Sequence, residues 1–149
     1  MSKSTYEQEL ERNGQLIYTT LGTSMRPFIR SQEDLVVIEK KTGGRYEKCD
    51  AVLYRRDSGQ YVLHRIVKVC PDSYVLCGDN RIHREPGVRD DQILGVLTAV
   101  IRQGQRIDVN EEGYRRKIRR WVALYPLRAI FIKIKGMLDR LWKRPKGSS

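Results

Sequence analysis

Ala51-Val-Leu-Tyr-Arg-Arg56, Asp57-Ser-Gly-Gln60, Tyr61-Val-Leu-His-Arg-Ile-Val-Lys-Val69: this stretch decides the fold. Two runs rich in β-branched and aromatic residues flank a turn of Asp, Ser and Gly, which is a β-hairpin signature. The pattern repeats in both directions. Upstream, Leu16–Leu21 and Leu35–Ile38 are strand-like, the second followed by the turn Thr42-Gly43-Gly44. Downstream, Pro71-Asp72-Ser73 punctuates the chain before Tyr74–Cys77, and Ile93–Ile101 and Arg106–Val109 come after it. About seven short strands at close spacing, with no βαβ alternation and no internal repeat, predict a mainly β fold: a coiled antiparallel sheet.

The two ends read differently. Ser4-Thr5-Tyr6-Glu7 has the capping-box form and Gly14 supplies a stop, so a short, polar, exposed helix is expected over 4–13. From Tyr114 the apolar spacing becomes helical: Ile118, Trp121, Val122 and Tyr125, then Leu127, Ile130, Phe131, Ile134, Leu138, Leu141 and Trp142. Pro126 is expected to break or kink this C-terminal amphipathic segment. Lys143 to Ser149 reads as a short disordered tail.

Charge divides the chain at the same place. Its 149 residues suit one domain with a small appendage. The net charge is +11. Residues 1–113 hold 17 Lys/Arg and 17 Asp/Glu, whereas 114–149 hold 12 Lys/Arg against Asp139 alone. A neutral body, 1–113, and a basic amphipathic tail, 114–149, are therefore expected. This argues against a uniformly basic nucleic-acid-binding domain. No apolar run approaches the about 20 residues that span a bilayer, and the polar, acidic N-terminus does not read as a signal peptide. Cys49, Cys70 and Cys77 are an odd number without a framework spacing, which points to reduced thiols in a cytoplasmic protein. With two histidines and no CxxC or HxxxH, no metal site is expected, nor any other cofactor.

Several residues can carry chemistry. Ser24 lies in the turn Gly22-Thr23-Ser24-Met25-Arg26-Pro27, where a hydroxyl would be exposed, but serine needs a base to become a nucleophile. The alternative is a purely structural turn serine. His64 sits in an otherwise apolar strand, on one face with Val62, Ile66 and Lys68 by strict alternation. It is either a general base or a core histidine bonded to a backbone carbonyl. Lys68 is a rival base, but four strand residues span about 13 Å, so both cannot serve one hydroxyl. Gly78-Asp79-Asn80 comes after a strand, and Glu85 lies six residues beyond Asp79. Either carboxylate can orient an imidazole or merely cap a turn. His83, among Arg81, Arg84 and Glu85, is expected to be exposed.

In this order, Ser24-Met25-Arg26-Pro27, then Leu63-His64-Arg65-Ile66, then Gly78-Asp79-Asn80 with the later Glu85, the chain resembles type I signal peptidases and the related LexA-like serine peptidases. The resemblance covers roughly residues 17–101. It implies Ser24 as nucleophile in the Ser-Met-x-Pro box with Met25 and Pro27, and His64, followed by Arg65, where many bacterial members carry Lys. It also implies a Gly78-Asp79-Asn80 box and an acid at position 85, here Glu in place of the usual Asp. The third member of the triad stays open between Glu85 and Asp79. The usual transmembrane anchor and the large inserted β-domain are not seen.

The expected activity is that of a serine endopeptidase that cleaves an extended segment of a protein or peptide precursor through an acyl-enzyme. Its pockets, by resemblance, prefer small residues such as Ala. The 114–142 segment, with Trp at both ends and a basic remainder, suits the surface of an anionic membrane, which implies a peripheral location on the inner face of the cell membrane. The alternatives are a LexA-like regulator that cleaves itself or a partner, and a non-catalytic membrane- or peptide-binding module of the same fold. The first needs a DNA-binding helix-turn-helix, for which the residues before the Ser24 turn are too few.

Overall fold

The structure, a computed structural model, describes residues 5–143. Among them the turn-punctuated runs form eight strands: β1 (Gln15–Thr19), β2 (Leu35–Glu39), β3 (Ala51–Arg55), β4 (Tyr61–Val69), β5 (Tyr74–Cys77), β6 (Glu85–Val88), β7 (Ile93–Arg102) and β8 (Gln105–Asp108). They make one sheet in the order β1-β2-β7-β3-β4-β5-β6, with β8 folded back on β7. Every pairing is antiparallel. The Asp57–Gln60 turn joins β3 to β4, with Val52 opposite His64 and Tyr54 opposite Val62. Strand β6 is not expected from its residues. Pro86 and Gly87 depress strand propensity, and β6 persists because it lies at the sheet edge, where a missing N–H is tolerated.

Central strands are covered on both faces, so β3 reads Ala-Val-Leu-Tyr without alternation and all four residues are buried. One apolar cluster joins Leu53, Leu63, Val36, Ile38 and Leu97 to Leu10, Leu16, Met25 and Ile29. The opposite face gathers Val52, Tyr54, Ile66, Tyr74, Leu76, Val88 and Ile93.

Helix α1 (Tyr6–Asn13) buries Leu10 against the first cluster. Its cap is Thr5, whose side chain accepts from the Gln8 N–H while the Gln8 side chain accepts from the Thr5 N–H. The capping box is therefore one residue later than Ser4-to-Glu7; Ser4 lies outside the described residues. Gly14, at φ 70, ends the helix by donating to the Leu10 carbonyl. The C-terminal segment forms α2 (Glu112–Ala123) and α3 (Tyr125–Trp142), separated at Leu124. Pro126 falls in the first turn of α3, where the lost N–H has no helical partner anyway. It starts a helix instead of interrupting one. Arg144–Ser149, most of the expected disordered tail, lies outside the described residues.

Packing does not follow the charge boundary at 113/114. Helix α2 buries Ile118 and Val122 against Cys49, with Phe28, Val67 and Tyr114 around them. Tyr125 is also buried. Beyond it Leu127, Ile130, Phe131, Met137, Leu138, Leu141 and Trp142 are exposed. The body thus runs through Tyr125, and α3 projects from it. No helix among the described residues is long and apolar enough to cross a membrane.

Ending the chain at Gly113 therefore removes part of the core. Each buried aliphatic side chain contributes about 1.5–3 kcal/mol, so this fragment should lose its cooperative thermal transition by circular dichroism. A chain ending at Ala129 should keep it. An unchanged melt of the shorter fragment would show that α2 is dispensable.

Candidate active site

Ser24 is positioned by two layers of contacts. Within its own loop, the N–H of Arg26 donates to the Thr23 carbonyl at 3.2 Å and the N–H of Ile29 to the Met25 carbonyl at 3.0 Å. Met25 and Ile29 are buried in the first apolar cluster, which ties the loop to the sheet and leaves Ser24 half-buried. From outside, the Asn80 N–H donates to the Ser24 carbonyl at 2.8 Å, and Asn80 Nδ2 to the Thr23 carbonyl at 3.2 Å. Gly78 lies flat against the serine: a Cβ there would meet the Ser24 carbonyl oxygen at 2.8 Å and the Ser24 Cβ at 3.1 Å. Only glycine permits that approach. The Gly78-Asp79-Asn80 turn is thus the clamp on the serine loop.

Asp79 holds the clamp in place and does not orient His64. Its carboxylate accepts from Arg65 Nε at 3.0 Å and from an Arg65 terminal nitrogen at 2.7 Å, and both side chains are buried. The other terminal nitrogen of Arg65 donates to the Cys49 carbonyl at 3.0 Å. Neighbouring residues of a strand point to opposite faces, so Arg65 serves the α2 side of the sheet while His64 faces the other. The Asp79 carbonyl accepts from Trp121 Nε1 at 2.9 Å and from Arg128 at 2.7 Å. One peptide unit, Asp79–Asn80, consequently joins the α2–α3 elbow to the Ser24 loop.

Ser24 and His64 line one cleft of about 780 Å³, together with Tyr18, Thr19–Thr23, Arg56, Tyr61–Leu63 and Arg81. No hydrogen bond joins the two side chains among the described residues. Lys68, the rival base, is exposed and does not line the cleft. A register shift between Ile66 and Lys68 ends the strict alternation that put it on the face of His64. His83 is exposed.

Glu85 reaches the imidazole only through another residue. The Tyr54 hydroxyl donates to Glu85 Oε2 and stands 3.5 Å from His64 Nδ1. Arg56 clamps the same carboxylate, from Nε to Oε1 at 3.0 Å and from a terminal nitrogen to Oε2 at 3.0 Å. With its proton given to Glu85, the Tyr54 oxygen can only accept from Nδ1–H, which leaves His64 Nε2 unprotonated. The expectation that Glu85 or Asp79 faces the far nitrogen of His64 directly is corrected on both counts. Tyr54 and Arg56 escape a reading of the sequence because in and beside β3 they look like ordinary strand residues. The signal that could have found them is register: Tyr54 lies two residues from Val52, the partner of His64.

Burial, then the nearby Arg56 cation, pull His64 down from 6.5 to about 4, and the opposing charges of Glu85 and Asp79 do not restore it. The imidazole is therefore neutral at pH 7 and can accept a proton. Burial alone would raise the Glu85 carboxyl, but the hydrogen bonds from Arg56 and Tyr54 hold it below the usual carboxylate range. Among the described residues no three His, Cys, Asp or Glu side chains gather as a metal site.

Asp79→Asn should leave Arg65 buried beside an uncharged partner, costing about 3–5 kcal/mol and lowering the melting temperature on the order of 10 °C. Glu85→Gln, in a partly exposed pair, should cost about 1 kcal/mol or less. Equal melting temperatures would remove the anchoring role of Asp79. His64 also gives a pH signature. Its folded pKa lies below its unfolded one, so the unfolded chain takes up the extra proton as pH falls. Stability should be full above pH 6.5 and decline toward pH 4, by about 3 kcal/mol at most. Urea titrations should show a shallower decline over that window in His64→Gln.

Comparison of the chain with models of protein families, with curated proteins and with solved structures finds no match in any of the three.

Proposed function

We propose that the chain is a serine endopeptidase of signal-peptidase type, with Ser24 as nucleophile and His64 as base. The observation that carries this reading is the Gly78-Asp79-Asn80 clamp, which seats Ser24 in the cleft that His64 also lines. The Ser24 oxygen attacks the carbonyl carbon of the scissile bond while its proton passes to His64 Nε2. That proton then goes to the departing amine as the C–N bond breaks, leaving an acyl-Ser24. Water, giving a proton to the same nitrogen, attacks the acyl carbon, and the proton returns to Ser24 as the acid product leaves. The N–H groups of Ser24 and Met25 donate to no protein acceptor among the described residues, so they are free for the oxyanion. One such donor is worth about 3–4 kcal/mol in comparable sites.

The substrate lies extended. Strand β5 begins to pair with β4 only at Arg65, so among the described residues Tyr61–His64 has β3 on one side and no strand on the other. This free edge, inside the cleft, suits β-strand addition by a peptide. Helix α3 places the enzyme on an anionic membrane surface. It exposes Phe131, Leu138, Leu141 and Trp142 beside Lys133, Lys135, Arg140 and Lys143, the composition of an interfacial helix.

A fluorophosphonate probe should label the wild type at Ser24 and not label Ser24→Ala. His64→Ala should slow labelling by about 100-fold or more, and His83→Ala should leave it unchanged. Labelling that is indifferent to His64 would remove it as the base, and a wild type that is not labelled at all would return the chain to a non-catalytic peptide-binding module. Vesicles containing phosphatidylserine should sediment the full chain, less so at high salt, and should not sediment a chain ending at Ala129. Equal sedimentation of both chains would refute the role of α3.

A further inference from the structure

The charge of the cleft points to its substrate. Two arginines, Arg56 and Arg81, line it, with no Asp or Glu among the lining residues. Arg56 is neutralised by Glu85 just outside. Arg81 forms no ion pair among the described residues. It is also close to the serine. A Cβ on Gly78 would lie 2.9 Å from Arg81 Cγ and 2.8 Å from the Ser24 carbonyl oxygen, so both flank one point. The Arg81 N–H donates to the Gly78 carbonyl at 3.0 Å, which fixes the root of the side chain to the clamp. An unpaired guanidinium held beside the nucleophile, next to a free strand edge, offers paired charge-assisted hydrogen bonds to a carboxylate.

We propose that the peptide cleaved here is acidic, with Asp or Glu close to the scissile bond, and that Arg81 reads that carboxylate. This rests on the peptidase reading for the bond broken, but not for the acidic preference, which binding alone can reveal. Arg81 is exposed and outside the core, so its replacement leaves the fold intact. The charges around His64 agree with the assignment. Burial is the largest cause of its low proton affinity; Arg56 and Arg81 also disfavour its cation, while Glu85 and Asp79 favour it. A substrate carboxylate at Arg81 offsets the Arg81 contribution and so favours the imidazolium that forms as Ser24 attacks. The acidic residue would thus contribute to turnover as well as to binding.

The test uses two pools of random decapeptides, one with Asp and Glu and one with Asn and Gln in their place. Digested by the full-length protein and sequenced by mass spectrometry, the first pool should be cut preferentially within about three residues of an acid, the span of a short paired strand. A matched Glu/Gln peptide pair should differ by about 10-fold in kcat/KM, as a charge-assisted contact predicts. Arg81→Gln should abolish the difference, Arg81→Lys should retain part of it, and Arg81→Glu should shift preference to Lys and Arg. The same pools are captured on Ser24→Ala protein, where the acidic pool should bind more tightly, and less so at high salt. Acid-selective capture without cleavage by the wild type would sink the peptidase reading and support this one. Cleavage or capture indifferent to Asp and Glu, or an acidic preference that survives in Arg81→Gln, would overturn it, as would capture of neither pool.

Discussion

The buried ion pair between Arg65 and Asp79 is the constraint on which the rest of the molecule depends. Removing two charges from water is expensive, and the attraction offsets the cost only when the geometry is good and the remaining donors are satisfied. Here the contact is bidentate, and the remaining arm of Arg65 reaches the Cys49 carbonyl. The Phe28 ring lies 5.6 Å from the guanidinium. With Asp79 immobilised, the next peptide unit has a fixed orientation. Its oxygen takes Trp121 and Arg128, and its N–H takes the Ser24 carbonyl. Sheet, helical elbow and serine loop are thereby referred to one point.

Strand alternation sets where the residue next to that anchor goes. Arg65 and His64 are consecutive, so the strand that directs the guanidinium to the α2 side directs the imidazole to the opposite face, that of Val52 and Tyr54. His64 lines the cleft together with Leu63 of the other face, where β4 has no strand on its outer side. Its tautomer is set independently, through Tyr54 and Glu85. A carboxylate that acts through a tyrosine, and is itself clamped by Arg56, stabilises an imidazolium less than a direct contact would. This agrees with the low proton affinity of His64.

The helical end divides the work between two kinds of apolar surface. In α2 the apolar stripe meets the body and disappears into it, with Ile118 at 1% exposure. In α3 the stripe continues past the edge of the body, so Trp142 is 92% exposed. Leu127, Phe131 and Leu138 are more than half exposed as well. The elbow at Leu124 makes the change possible, because two helices separated by a break need not share a direction.

Much of this was legible in the residues. Runs of β-branched and aromatic residues punctuated by Gly, Pro, Asp and Ser determined the strands and their antiparallel class, since those signals are local. The hairpin at Asp57–Gln60, the change to helical spacing after Tyr114 and the break near Pro126 are local for the same reason. The residues Ser24, His64, Gly78 and Asn80 could be singled out by type and order. The partners could not. That Asp79 belongs to Arg65, that Glu85 belongs to Tyr54 and Arg56, and that Lys68 leaves the face of His64 all depend on register between strands distant in sequence. A single shift, such as the one between Ile66 and Lys68, reverses every assignment beyond it. The charge boundary at residue 113 was likewise visible in composition. The packing boundary past Tyr125 was decided by which helical face the sheet had room to cover, a property of the assembled fold.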